Sequence, residues 1–210
     1  MKRGYFITLE GLDGVGKSVQ ASWLSDYLMK NGRSVVTTRE PGGTSYGEQL
    51  RSFFLGMDIC VEAEFFLILS IRLQHVYEKI SPALISGKDV VCERFMDSTY
   101  AYQGGGGGMS YQKIFAIEQE LSLPTVDLTF FLDAPCDVLR QRLNATFPDR
   151  FESQTDDFFS RARDVYQRRI NDDPSRFVVV DTTQSVDKVR NIMSSVLVDR
   201  GVIPSTIVLD

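Results

Sequence analysis

The chain reads as short apolar runs separated by longer segments with helical spacing. The runs fall within Gly4–Glu10, Ser34–Arg39, Asp89–Cys92, Leu128–Asp133 and Phe177–Asp181. They are continuous rather than alternating, so they predict strands covered on both faces. Ser18–Lys30 carries Val19, Trp23, Leu24, Tyr27 and Leu28 at helical spacing and stops at Asn31-Gly32, a suitable left-handed cap. A short helix is predicted over Gly47–Leu55. Val61–Ser86 predicts one long helix with Phe65, Phe66, Leu69, Leu73, Val76 and Ile80 on its apolar face, kinked at Pro82 and ended by Gly87. Further helices are predicted over Tyr111–Leu121, Cys136–Leu143, Thr155–Ile170 and Val186–Leu197. Strands alternating with helices predict an α/β protein of three layers, with a central five-stranded parallel sheet flanked by helices. No Pro/Ser-rich linker divides the 210 residues, which predicts a single domain over 1–210. Asn144–Glu152 reads as a loop, and 202–210 matches no element.

The first strand runs into Gly11-Leu12-Asp13-Gly14-Val15-Gly16-Lys17-Ser18, and a helix follows. This is the G-x-x-x-x-G-K-[ST] phosphate loop in its required strand–loop–helix context. Glycines let successive backbone N–H groups face one concavity, which opens on the positive end of a helix. Lys17 adds a cation for the β- and γ-phosphates, and Ser18 a hydroxyl for Mg²⁺. The fold class is therefore that of a P-loop NTPase. In such sheets ligands bind beyond the strand C-termini. The polar clusters Arg39–Thr44, Glu93–Gln103, Asp133 and Asp181 all fall there.

Composition narrows the partners. A net charge of −5 points away from a nucleic-acid surface. Cys60, Cys92 and Cys136 have neither disulfide-framework nor metal-site spacing, and Cys92 reads as a small buried hydrophobe. No secretory leader and no membrane-length apolar run is legible, so a soluble cytoplasmic protein is expected. The five glycines Gly104–Gly108 are either a flexible spacer or a stretch that approaches something closely.

A phosphate loop alone does not separate a switch from a kinase. The Asn-Lys-x-Asp base reader of guanine switches is absent from the sequence. A small-molecule phosphotransferase needs a second anion site facing the loop, and Arg39, Arg51 and Arg94 are the candidates. The competing readings are a non-enzymatic nucleotide switch, with Asp133 or Asp181 on the Mg²⁺ side, and a kinase for another nucleoside monophosphate.

Together, Phe6–Ser18, Arg39–Thr44, Arg72–Val76, Ser98–Gly106, Leu132-Asp133, Asp149–Glu152 and Val180–Gln184 resemble bacterial thymidylate kinases, to about Leu197. Arg-Glu-Pro-Gly-Gly-Thr and Ala-Tyr-Gln-Gly-Gly are the specific marks. The resemblance implies phosphoryl transfer from ATP to dTMP with Mg²⁺, and a homodimer built through long helices. It implies that Gly11, Leu12, Asp13, Gly14, Val15, Gly16, Lys17 and Ser18 hold ATP, with Arg142 on the donor side and Thr182, Thr183 and Gln184 bordering the adenine. It puts Asp13, Arg51 and Arg94 at the acceptor phosphate, Arg72 at the thymine edge, and Thr99 and Tyr102 at the base and sugar. Ser98 and Gln103 fall on the same side. Glu40-Pro41 would be a cis peptide beneath the acceptor phosphate, and His75 is structural. Asp13, Lys17, Glu93, Arg94 and the lid residue Arg150 would be catalytic, with Ser18 and Glu93 on the metal side.

This sequence also departs from the family pattern. Glu93 replaces an aspartate, Gly107 an arginine of the glycine loop, and Gly14 stands where some relatives carry an arginine. Leu143–Pro148 lacks the usual lid arginines, which leaves Arg142 and Arg150 to serve the transferring group. Ile68 stands where an aromatic stacks on thymine, with Phe65 or Phe66 as the compensating ring.

Overall fold

The structure is a computed structural model that describes residues 3–143 and 154–204. Among the described residues five strands form one sheet: β1 (Phe6–Glu10), β2 (Val35–Arg39), β3 (Asp89–Glu93), β4 (Leu128–Asp133) and β5 (Phe177–Asp181). They lie parallel in the order β2-β3-β1-β4-β5. Chain direction along the sheet reverses between β1 and β3, so the crevice beyond their C-termini is where a ligand site is expected.

The strands are buried on both sides, as their continuous apolar runs require. Ile7, Leu9 and Val91 pack on one face with Leu24 and Leu28 of α1 (Lys17–Lys30) and with Val189 and Met193 of α9 (Val186–Asp199). Phe6, Val90 and Cys92 pack on the other with Phe65 and Leu69 of α3 (Val61–His75). Val202 and Ile203, in the stretch without a predicted element, close the first core. The remaining helices are α2 (Ser45–Leu55), α4 (Ser81–Ile85), α5 (Met96–Thr99), α6 (Tyr111–Glu120), α7 (Cys136–Leu143) and α8 (Asp156–Asp172).

Two sequence expectations need correction. The long helix is not simply kinked at Pro82. A π turn over Val76–Ile80 joins α3 to α4, and Pro82, which has no N–H to bond the preceding turn, sits at the start of α4. Its predicted apolar face divides into two stripes. Phe65, Leu69, Val76 and Ile80 are buried, while Phe66 and Leu73 are exposed beside Tyr77. Adjacent helical positions lie about 100° apart, so Phe65 and Phe66 cannot share one narrow face.

Of the two readings left open for the glycine run, the structure favours close approach. Tyr100–Gly106 is π-helical and packs against α8. A Cβ on Gly105 would lie 2.4 Å from the Arg161 carbonyl, and one on Gly106 would lie 2.3 Å from the Phe158 ring. Close approach is thus the reason for glycine there. The predicted loop Asn144–Glu152, including Arg150, lies outside the described residues.

Candidate active site

The phosphate loop has the backbone that its glycines foretell. Gly11, Gly14 and Gly16 take φ of 139°, 84° and 90°. At Gly11 a side chain is impossible, since its Cβ would meet the Leu132 carbonyl at 2.3 Å. Thr44, Thr155 and Ser185 cap α2, α8 and α9 with their side chains. The N-terminus of α1 has no such cap and no acid in its first turn. Its N–H groups are therefore available to an anion. Lys17 is buried and donates to the Leu12 carbonyl at 2.8 Å. Burial and the nearby Arg94 guanidinium pull its ammonium down to about 8, against the pull of Asp13, Glu93 and Glu10. Val15 belongs to the core, and Ser18 is exposed.

Ser18 and Glu93 border one open groove beside α1, which also takes in Thr38, Arg39 and Lys79. Arg39, one of the three candidates for a second anion site, turns instead to Glu48 at 2.7 Å. On the other rim Arg142 spans to the Gly14 carbonyl at 3.4 Å and donates to the Thr182 carbonyl at 2.8 Å. Asp181 accepts from the Thr183 N–H at 2.9 Å, and Thr183 and Gln184 are exposed. Asp133 is held by Arg163 through bonds of 3.0 and 2.6 Å. Both carboxylates that a switch would use at its metal are thus engaged with protein groups.

A second cavity opens between β1, β3, α2 and α3. Its wall includes Asp13, Glu40, Pro41, Arg51, Ile68, Arg72, Arg94, Ser98, Thr99, Tyr102 and Gln103. These come from five separate stretches of chain. Phe65, expected on the acceptor side, is not there: it is fully buried in the core beneath. Phe54 and Leu55 of α2 line the cavity and were missed. Their signal is the i, i+3, i+4 spacing from Arg51, which puts all three on one helix face.

The cations in this cavity are fixed by protein partners. Arg72 is 1% exposed; its Nε donates to Glu40 at 2.6 Å, its Nη1 to Thr99 at 2.9 Å and to the Met96 sulfur at 3.1 Å, and its Nη2 to the Phe95 carbonyl at 3.0 Å. Glu40 also meets His75 Nδ1 at 2.9 Å, while His75 Nε2 meets Thr38 at 2.7 Å. His75 is therefore structural. The Glu40-Pro41 peptide is cis, and Arg51 donates to the Pro41 carbonyl at 3.0 Å. Gln103 donates to Glu64 at 2.6 Å.

Arg94 joins the two halves of the site. It has φ 64°, the one positive φ among the described non-glycine residues. A non-glycine side chain there is strained, and its surroundings hold it. Nη1 donates to the Gly11 carbonyl and to Ser98, both at 3.0 Å. Nη2 donates to Asp13 at 2.5 Å and to the Tyr102 hydroxyl at 3.0 Å, and Tyr102 donates to Asp13 at 2.7 Å. Burial raises the Asp13 carboxyl, but Arg94, Lys17 and Tyr102 together hold it at about 2. Burial would lower Arg94; Asp13 and its neighbours keep it well above the usual arginine range.

A phosphate loop and a facing anion cavity, bridged by one arginine, define a P-loop phosphotransferase acting on a small anionic acceptor. Residues 9–192 match the family model described as thymidylate kinase. Thymidylate kinase from Cupriavidus necator is 43% identical over 199 residues, covering 93% of this chain and 98% of that protein. Thymidylate kinase from Bordetella petrii is 45% identical over 191 residues, covering 90% and 92%. The crystal structure of thymidylate kinase from Ehrlichia chaffeensis matches with a TM-score of 0.77 at 31% identity, covering 93% of this chain and 98% of that one. The chain belongs to the thymidylate kinase family.

Proposed function

We propose that the chain transfers the γ-phosphoryl group of ATP to dTMP, giving dTDP and ADP, across the Asp13–Arg94 junction. The observation that carries the reading is Arg94. Its guanidinium touches the phosphate loop at Gly11 and lines the acceptor cavity at the same time. Transfer between two anions requires both to be aligned and neutralised. Arg51 and Arg94 meet the dTMP phosphate, and the uncapped start of α1 with Lys17 meets the ATP phosphates. Asp13 keeps Arg94 in place and stays ionised at neutral pH.

The base end is read by Arg72. Four of its five N–H groups have described partners, which fix the plane of the guanidinium. The remaining Nη2–H suits a carbonyl acceptor such as O4 of thymine and mismatches the amino group of cytosine. Ile68, Phe54 and Leu55 supply the apolar wall for the ring. Thr182–Gln184 and Arg142 border the adenine of ATP, and Arg150 is proposed as the cation at the transferring group.

Ser18 and Glu93 offer oxygen ligands on one groove. No group of three or more His, Cys, Asp or Glu gathers among the described residues. That donor set fits Mg²⁺, which takes one or two protein oxygens plus phosphates and water. Bound with the nucleotide, Mg²⁺ neutralises charge on the β- and γ-phosphates. Two copies pair through α3 and the π turn after it, where exposed Phe66, Leu73 and Tyr77 recur at i, i+7 and i+11. No described helix is long and apolar enough to cross a membrane, and Cys60, Cys92 and Cys136 are free thiols. These features support work in the reducing cytoplasm.

The test is ADP release from ATP and Mg²⁺ with each candidate acceptor. Stimulation by dTMP is expected; ATP turnover that dTMP leaves unchanged would sink the proposal. Light scattering at micromolar concentration tests the pairing, and a monomer there would refute it.

A further inference from the structure

Glu10 closes β1 directly before the phosphate loop and has no solvent exposure. The mechanism above does not use it, yet three donors converge on it. Its Oε1 accepts the Phe95 N–H at 2.7 Å. Its Oε2 accepts the Ser98 hydroxyl at 2.6 Å and the Tyr166 hydroxyl of α8 at 2.9 Å. We propose that Glu10 is the positioning residue of Arg94, fixing the backbone beside it through Phe95 and its guanidinium through Ser98.

The bond to Phe95 holds the peptide immediately after Arg94, the described non-glycine residue with positive φ. The bond to Ser98 works by direction. A serine hydroxyl has one proton and two lone pairs. Burial and Asp97 push the Glu10 carboxyl up, while Ser98, Arg94 and the Phe95 N–H pull it down; as a carboxylate it only accepts, so in the 2.6 Å pair the Ser98 proton points to Glu10 and the lone pairs face Arg94 Nη1 at 3.0 Å and the Tyr166 hydroxyl at 2.9 Å. Tyr166 brings α8 onto the same oxygen, so one buried carboxylate ties three elements to the acceptor clamp. Glutamine does not reproduce this pattern, because a donor would replace an acceptor on one side and any hydroxyl facing it would have to turn its proton away. Its amide has one accepting oxygen, so in either flip an NH₂ faces Phe95 N–H or the two hydroxyls.

The inference rests on the clamp role of Arg94, so Arg94→Lys is measured in parallel with Glu10→Gln. In Glu10→Gln the KM for dTMP should rise about tenfold, as expected for a mispaired buried group, while the KM for ATP stays within about twofold. Because Glu10 acts through Arg94, Glu10→Gln should add little on the Arg94→Lys background. An unchanged dTMP KM in folded Glu10→Gln, an equal rise in both KM values, or full additivity overturns the inference. A normal dTMP KM in Arg94→Lys overturns the clamp reading itself. If Glu10→Gln fails to fold by circular dichroism, Ser98→Ala and Ser98→Thr decide. Alanine should raise the dTMP KM and threonine, which keeps the hydroxyl, should restore it; equal values in the two variants overturn the relay.

Discussion

In the acceptor cavity Arg72, Arg94 and Arg51 already hold protein partners, and Arg72 makes four bonds while almost wholly buried. At the donor rim Ser18, Thr183 and Gln184 stand exposed, and Arg142 meets the loop at 3.4 Å. In the proposed function the two sites bind anions by different means. The donor side relies on backbone N–H groups and a helix terminus, which any nucleoside triphosphate can use. The acceptor side relies on side chains locked in place before the ligand arrives, which lowers the ordering cost of binding and fixes what is accepted. Discrimination therefore resides at the acceptor, and substitutions there should cost more than those at the donor rim.

Arg94→Ala carries the largest effect. It removes the acceptor cation and leaves Asp13 without its principal partner, so kcat/KM for dTMP should fall by roughly 10³. A loss below tenfold would break the contrast. Arg72→Met is next. It strands the buried Glu40 carboxylate and should cost about 3–5 kcal/mol of stability in urea unfolding. A stability change under 1 kcal/mol would show that Glu40 is satisfied without Arg72.

Acid should weaken the same junction. Asp13 is held at about 2 in the folded chain against an ordinary 3.8. A carboxyl lowered on folding adds stability above its unfolded pKa and loses it as pH falls. About 2 kcal/mol should be lost between pH 4 and 2 in wild type and kept in Asp13→Asn, after allowance for the variant's lower baseline. Equal acid sensitivity in both would remove Asp13 from the account.

Sequence reading went furthest where the signal is contiguous. The phosphate loop is eight consecutive residues between a strand and a helix, and its backbone follows from its glycines. The acceptor cavity draws on segments from Asp13 to Gln103, which no local pattern joins; the family resemblance supplied that grouping. Phe54 was missed because α2 is short and Phe53 beside it is exposed, so neither phenylalanine stands out. Phe65 was misplaced because helical phase was left unresolved between neighbouring rings. The positive φ of Arg94 and the three donors on Glu10 arise from tertiary packing, which no residue type announces.

Smaller effects sharpen the contrast. Ile68 lines the cavity beside Phe54. Ile68→Phe should tighten dTMP about fivefold by adding a stacking face. Weaker dTMP binding with the fold intact would remove this helix face from the base site. Arg142→Ala should raise the KM for ATP about threefold and leave that for dTMP unchanged, given its long contacts and exposure. A larger effect on dTMP would contradict the division of labour.

The central claim, that a preformed side-chain cavity selects the acceptor, is tested most directly by kcat/KM for dTMP, dUMP and dCMP under saturating ATP and Mg²⁺. Activity with dCMP should fall tenfold or more below dTMP, since Arg72 would face an amino group at ~1–3 kcal/mol of mispairing. Activity with dUMP should fall only about fivefold below, since one buried methyl is worth ~1 kcal/mol. Use of dCMP at the efficiency of dTMP would contradict the claim.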